Sequence, residues 1–168
     1  MGSMRRYSGG RRWGAKVALP ILVIAMFQPI MSVSVLGQNI EEPTSTFTLM
    51  RMLTNPDLPE DHSLNQGKLQ LYWKLQLYSI LIVGAALSAI AIFLLRIFGF
   101  IHYRNSNIGG GLCFAYAFLN FLFIDELNYL LTSEYGSLAT SVVHLNVGWS
   151  AYIAILAGAL FFIVDAMR

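Results

Sequence analysis

The amino-acid sequence predicts an all-α integral membrane protein, a bundle of four transmembrane helices with one large outward-facing loop. The first observation is composition, because 56% of the 168 residues are hydrophobic and only 12% are charged. An ordinary soluble domain carries about 25% charged residues, and a core of this size could not hide so much apolar surface. The second observation is that the apolar residues form four long segments, in which the only charged residues are Asp125 and Glu126.

Each segment has the length that a membrane span requires, since about 20 residues of α-helix cross a bilayer core of about 30 Å. The predicted spans are residues 17–36, 75–95, 112–131 and 145–164. They divide the rest of the chain into a basic N-terminal segment (1–16), a large outward loop (37–74), an inner loop (96–111), a short outward loop (132–144) and a C-terminal end (165–168). In that last segment we expect Asp165, beside Arg168, to be an ordinary charged chain end.

Lysine and arginine set the direction of the chain, because basic residues accumulate on the cytoplasmic side of membrane proteins. Eight of them lie on one side of the predicted spans: Arg5, Arg6, Arg11, Arg12, Lys16, Arg96, Arg104 and Arg168. The other side has three: Arg51, Lys68 and Lys74. Both termini are therefore predicted to be cytoplasmic. The single cysteine, Cys113, and the lack of an Asn-x-Ser/Thr sequon favour a prokaryotic plasma membrane over a eukaryotic cell surface.

The first span has a second interpretation. Its arginine-rich start and the small residue Gly37 resemble a secretory signal sequence, whose removal would leave three spans. The apolar stretch is longer than the roughly 7–15 residues of a signal core, which favours a retained membrane helix. In that helix Pro20 is expected to lie in the first turn and Pro29 to introduce a kink.

The large outward loop is predicted to contain a short helix on the membrane surface, capped by Thr44 or Ser45. Its apolar residues recur at helical spacing: Phe47, Met50 and Leu53. The segment 68–78 is predicted to form the outer end of the second membrane helix, with Trp73 among its interfacial aromatic anchors.

Small residues at helical spacing indicate where membrane helices pack, because they let two backbones approach closely. Such residues occur at three of the predicted spans: Gly84 with Ser88 and Ala85 with Ala89 in the second, Gly109, Gly110 and Gly111 at the start of the third with Ala115 inside it, and Ser150, Ala154 and Gly158 in the fourth. They predict a compact bundle. The same stripes could hold the chain to other membrane subunits or to a second copy of itself.

The third span contains one polar cluster: Asn120, Asp125, Glu126 and Asn128. His144, before the fourth span, approaches it from the same outer side. Three interpretations stay open. The span ends early, near Ile124, and leaves the acids at the headgroups; a carboxylate–histidine pair fastens spans three and four; or Asp125, Glu126 and His144 form a site for a divalent metal ion or a proton relay.

Common catalytic motifs are absent from the sequence, including the phosphate-binding Gly-x-x-x-x-Gly-Lys, Gly-x-Ser-x-Gly and His-Glu-x-x-His. The net charge of +2 is too small to indicate nucleic-acid binding. The layout, with both ends inside and the longer loop after the first span, is similar to claudin-like tetraspan proteins. The Trp and paired Cys that mark that loop are missing here, so the resemblance implies neither their loop fold nor their junction-forming activity.

Three functions are consistent with these observations. The first is a non-enzymatic four-span membrane protein that serves as a subunit or an accessory and assembly component of a larger membrane complex. The second is an integral-membrane enzyme or metal-binding protein that uses Asp125, Glu126 and His144. The third is a small proton- or cation-coupled transporter or channel, in which one of these carboxylates titrates.

Overall fold

The computed structural model describes residues 13–35, 38–40, 44–54, 66–101, 103–136 and 142–166. The arginines of the N-terminal segment lie outside this part of the chain. Most of the described chain is helical. In chain order the elements are α1 (Trp13–Phe27), β1 (Met31–Val35), β2 (Gln38–Ile40), α2 (Thr46–Thr54), α3 (Gln66–Phe98), α4 (Tyr103–Tyr135), β3 (Val143–Val147) and α5 (Trp149–Ala166).

The helices α3 and α4 have 33 residues each, which makes each about 50 Å long. Their segments Trp73–Phe98 and Asn107–Ser133 are long and apolar enough to cross a membrane, as the sequence predicts for spans two and three. The other two apolar helices, α1 and α5, are shorter. Because α4 continues to Tyr135, the carboxylates beyond Ile124 lie on a continuous helix.

The first apolar segment is helical only in part, whereas the sequence predicts a kinked helix over residues 17–36. The helix α1 ends at Phe27, and the chain then forms the strand β1. Pro29 explains the change, because proline has no N–H for the helix and its ring clashes with the preceding turn. The following residues, Met31–Val35, alternate apolar and serine side chains, which favours a strand. Pro20 lies within α1 rather than in its first turn, because the helix begins at Trp13.

The three strands form one antiparallel sheet in the order β2-β1-β3. Strand β1 pairs with β2 from Val33 opposite Ile40 to Val35 opposite Gln38. It pairs along its full length with β3, from Met31 opposite Val147 to Val35 opposite Val143. The predicted fourth span therefore starts as a strand, and its helix begins only at Trp149. The sheet lies at one end of the packed helices α1 and α5, since β1 directly follows α1 and β3 directly precedes α5.

The four longer helices pack in the cyclic order α1, α3, α4, α5. The predicted stripe of small residues on α5 lies at a helix contact: an added Cβ on Gly158 would be 3.2 Å from the carbonyl oxygen of Gly110 on α4. Ser150 and Ala154 of that stripe are buried as well. Gly84 and Ser88 on α3 are exposed instead, and Gly84 faces open space within the described part of the chain.

Candidate functional site

The three residues predicted to form a metal or carboxylate–histidine site occupy different surroundings. Asp125 is exposed on α4. Glu126 pairs with Lys74 of α3, whose Nζ lies 2.8 Å from its Oε1. His144 is an exposed residue of β3. Among the described residues, no three His, Cys, Asp or Glu side chains are grouped so that they could hold a metal ion.

The position of His144 follows from the two faces of the sheet. Side chains alternate along a strand, and on β3 the neighbours of His144, such as Leu145, pack against the helix core. His144 and Asn146 therefore project from the face turned away from the helices. On β1 the same face carries Ser32 and Ser34, which are directly opposite Asn146 and His144. We call these four residues the polar face of the sheet.

Hydrogen bonds tie the polar face together across the strands. The Ser34 hydroxyl donates to the carbonyl oxygen of His144 at 3.2 Å and accepts from the Asn146 side-chain amide, also at 3.2 Å. The side chains of Ser34 and Asn146 are thus hydrogen-bonded to each other across the two strands, while the imidazole of His144 remains exposed. The result is a surface of hydrogen-bonding groups, in which the imidazole of His144 is the exposed member.

Asn128 closes one edge of the sheet. Its side-chain amide nitrogen donates to the carbonyl oxygen of Leu145 at 2.8 Å, and its Oδ1 accepts from the N–H of Leu145 at 3.1 Å. These are the two bonds that a neighbouring strand would make at this position. An exposed edge invites pairing with another chain, so Asn128 both attaches β3 to α4 and blocks that edge at Leu145.

The sheet and the α1–α5 pair meet at a close backbone crossing. The N–H of Gly148 donates to the carbonyl oxygen of Ile30 at 2.7 Å, and the N–H of Ser150 donates to that of Pro29 at 3.1 Å. A Cβ at position 148 would lie only 2.1 Å from the carbonyl oxygen of Pro29. Only glycine fits there, and we call this contact the Pro29–Gly148 crossing.

A buried polar cluster lies between the helices near this crossing. The Tyr116 hydroxyl of α4 is hydrogen-bonded to the hydroxyl of Ser150 on α5 and, at 2.5 Å, to that of Thr46 at the start of α2. Asn120, one turn along α4, donates to the carbonyl oxygen of Tyr116 at 2.8 Å. All four residues are fully buried. Asn120 belongs to the polar cluster predicted for the third span, but nothing in the sequence pattern indicated the three hydroxyls as its neighbours.

The cluster positions the short helix α2. Of the two predicted caps, Thr44 and Ser45, it is Ser45 that caps the helix, because its hydroxyl accepts from the N–H of Thr48 at 3.2 Å. The buried side of α2 consists of Thr46 and Leu49, whereas Phe47, predicted as an apolar anchor, is exposed and stacks on Phe27 of α1. The helix α2 is therefore fixed by both polar and apolar contacts, at the end of the helices where the sheet lies.

At the opposite end of the helices Arg96 of α3 and Asp165 of α5 form a buried ion pair at 3.4 Å, with side chains 4% and 6% exposed. The expectation that Asp165 is an ordinary charged end is wrong, because the last turn of α5 packs against α1: a Cβ at Gly14 would lie 2.7 Å from the Asp165 carboxylate. No pattern in the sequence indicated that Arg96 and Asp165, which are 69 residues apart, would form a pair.

No family model matches the chain, and no curated protein or solved structure matches it either. Function must therefore be inferred from the geometry. The described groups that act together are a hydrogen-bonding sheet face, a structural hydroxyl cluster and two ion pairs.

Proposed function

We propose that this chain is a non-enzymatic four-span membrane protein that serves as a subunit or accessory of a larger membrane complex. The outer sheet would contact the partner. The observation that supports this proposal is the double attachment of the sheet, through the Pro29–Gly148 crossing and through Asn128. A surface that is fixed before binding loses little conformational entropy when a partner docks.

The exposed side chains of the two shorter helices support their insertion into lipid. Outward-facing residues along them are large and apolar, for example Ile24 on α1 and Leu156 and Ile163 on α5. Continuous apolar surface of this kind is unfavourable in water. Tryptophan stands at one end of each helix, Trp13 and Trp149, as is typical of residues at the headgroup level.

The lengths of α1 and α5 are compatible with spanning. Their 15 and 18 residues correspond to about 22 and 27 Å. A helix somewhat shorter than the hydrocarbon core is accommodated by local thinning of the bilayer at a modest free-energy cost. With four spans the termini lie on one side, and the bias of the basic residues places that side in the cytoplasm. The sheet then faces outward from the plasma membrane.

The polar face suits a protein partner better than a lipid contact. Its serine, asparagine and histidine groups can exchange hydrogen bonds, and none carries a fixed charge. The β3 edge is blocked by Asn128, so a partner would contact the face of the sheet rather than add a strand at Leu145. A mutation of His144 or Ser32 would then weaken the complex without unfolding the chain.

Cross-linking tests this proposal. A photoreactive amino acid is placed at position 144, and in a control variant at Lys16, which is exposed at the inner end of α1. The membranes are irradiated before extraction in mild detergent. We expect one discrete product from position 144 that is absent when Ser32 is replaced by a large residue. Recovery of an uncross-linked monomer would contradict the proposal, and a product of twice the chain mass would identify the partner as a second copy.

A further inference from the structure

The apolar height of the molecule differs between its two sides. On α3 the apolar segment Trp73–Phe98 has 26 residues, about 39 Å, whereas the whole of α5 has 18 residues, about 27 Å. The long helices α3 and α4 pack against each other, and so do the short helices α1 and α5. One side of the molecule is therefore tall and the opposite side short.

The additional length lies mainly at the outer end. At the inner end α3 and α5 are held level, since Arg96 pairs with Asp165 at 3.4 Å and the Phe93 and Phe161 rings lie 5.3 Å apart. At the outer end α4 continues beside β3 and α3 beside α2, and Lys74 and Glu126 bridge the two long helices. The tall side thus rises beyond the level at which α5 becomes a strand.

The outer part of α3 exposes four large apolar side chains on one side of the helix, between 44% and 63% exposed: Trp73, Leu77, Ile80 and Leu81. We call them the α3 shoulder. The same exposed side continues through Leu87 and Leu94 along the rest of the predicted membrane span. At the top of the shoulder the tryptophan is followed by Lys74, a pair of residue types that anchors helices at the headgroups.

We propose that lipid of the outer leaflet covers the α3 shoulder, so that the hydrocarbon region reaches higher on the α3 side than on the α5 side. Continuity with the membrane-facing side of α3 and the Trp–Lys boundary both indicate lipid as the occupant. If the whole molecule tilts from the bilayer normal toward its α3 side, the α3 shoulder and the outer end of α5 reach the same headgroup level. Tilts of about 20° are usual for membrane helices. This inference rests on the proposed four-span arrangement.

Tryptophan fluorescence provides the test, because the chain has three tryptophans and each is the first residue of an apolar helical segment. Variants that retain Trp73 alone or Trp149 alone, with the others replaced by phenylalanine, are reconstituted in vesicles of brominated phosphatidylcholine. Bromine quenches only tryptophans that touch lipid, and aqueous iodide quenches those in water. We expect bromolipid to reduce the emission of Trp73 and of Trp149 to a similar extent, and iodide to have little effect on either.

The other outcomes are equally informative. Quenching of Trp73 by iodide alone would overturn the proposal by placing the shoulder in water, and quenching by neither agent would overturn it by placing a protein there. In both cases quenching of Trp149 by bromolipid would leave the four spans intact. If bromolipid instead quenches Trp73 but neither Trp149 nor a variant retaining Trp13 alone, the four-span arrangement fails while the lipid contact of the shoulder stands.

Discussion

The Gly148→Ala substitution places a methyl group where the backbone of Pro29 already lies. The added Cβ would be 2.1 Å from the carbonyl oxygen of Pro29 and 2.8 Å from the carbonyl carbon of Ile30. To reach ordinary contact at 3.4 Å, the two chain segments must separate by about 1.3 Å, because backbone atoms cannot rotate away as a side chain can. The clash alone explains the glycine, since positive φ values among the described glycines occur at Gly99 and Gly136.

The cost can be estimated from the groups that move. Overpacking costs about 1–3 kcal/mol, and a clash between backbones belongs at the upper end of this range. Separation also stretches the bonds from Gly148 to Ile30 and from Ser150 to Pro29, now 2.7 and 3.1 Å, each of which contributes about 1 kcal/mol. The expected loss is therefore about 3–5 kcal/mol of unfolding free energy, or about 10 °C in unfolding temperature.

Thermal unfolding of the purified chain in detergent measures this effect. Gly84→Ala is the matched control, because Gly84 lies within α3 with nothing within 4 Å of its added Cβ. Alanine is the better helix former by about 1 kcal/mol, so this variant should unfold at or above the temperature of the parent chain. If Gly148→Ala is as stable as Gly84→Ala, the close crossing of the α1–β1 and β3–α5 junctions is refuted.

Three further substitutions test the other contacts. Asn128→Ala leaves the N–H and C=O of Leu145 without their side-chain partner, so we expect a loss of about 1–3 kcal/mol and faster proteolysis of the strands. Asn128→Asp keeps the acceptor but places a carboxylate oxygen where the amide donated to the carbonyl oxygen of Leu145, so it should lose at least as much. Tyr116→Phe removes the hydroxyl shared by Thr46 and Ser150 and should cost about 1–2 kcal/mol, with Ser88→Ala, an exposed hydroxyl, as the neutral control. Asp165→Asn leaves the buried Arg96 without its carboxylate and should cost about 3 kcal/mol, whereas removing the exposed partner in Lys74→Ala should leave the unfolding temperature unchanged. Equal effects of the last two would contradict the burial of the inner ion pair.

The long apolar helices and the helix cap were predictable because both depend on local sequence. A run of apolar residues identifies α3 and α4, and a serine before a helical pattern identifies Ser45 as a cap. The strands were missed although their signal was present. Ser32 and Ser34 alternate with apolar residues, a period of two, but a window of about 20 residues averages this alternation into the neighbouring helix.

The contacts of the candidate site could not be predicted, because they join residues far apart in the sequence. The surroundings of His144 depend on its being in a strand. At the start of a helix beside α4 its side chain would approach the α4 carboxylates, whereas on β3 it projects from the face of the sheet that is turned away from the helices. Arg96 and Asp165 meet across 69 residues, and neither has a neighbour in sequence that indicates the other. The predicted metal site likewise required a contact between residues far apart in the sequence, with His144 beside Asp125 and Glu126.

Labelling of single cysteines tests the four-span arrangement most directly. In a Cys113→Ala background, which removes the chain's own cysteine, one variant carries Lys16→Cys at the inner end of α1 and another carries His144→Cys on the polar face. Both positions are exposed. A membrane-impermeant maleimide added to intact cells should label position 144 at once and position 16 only after the membrane is permeabilised. Labelling of both positions in intact cells, or of neither, would contradict four spans with the sheet outside and the termini in the cytoplasm.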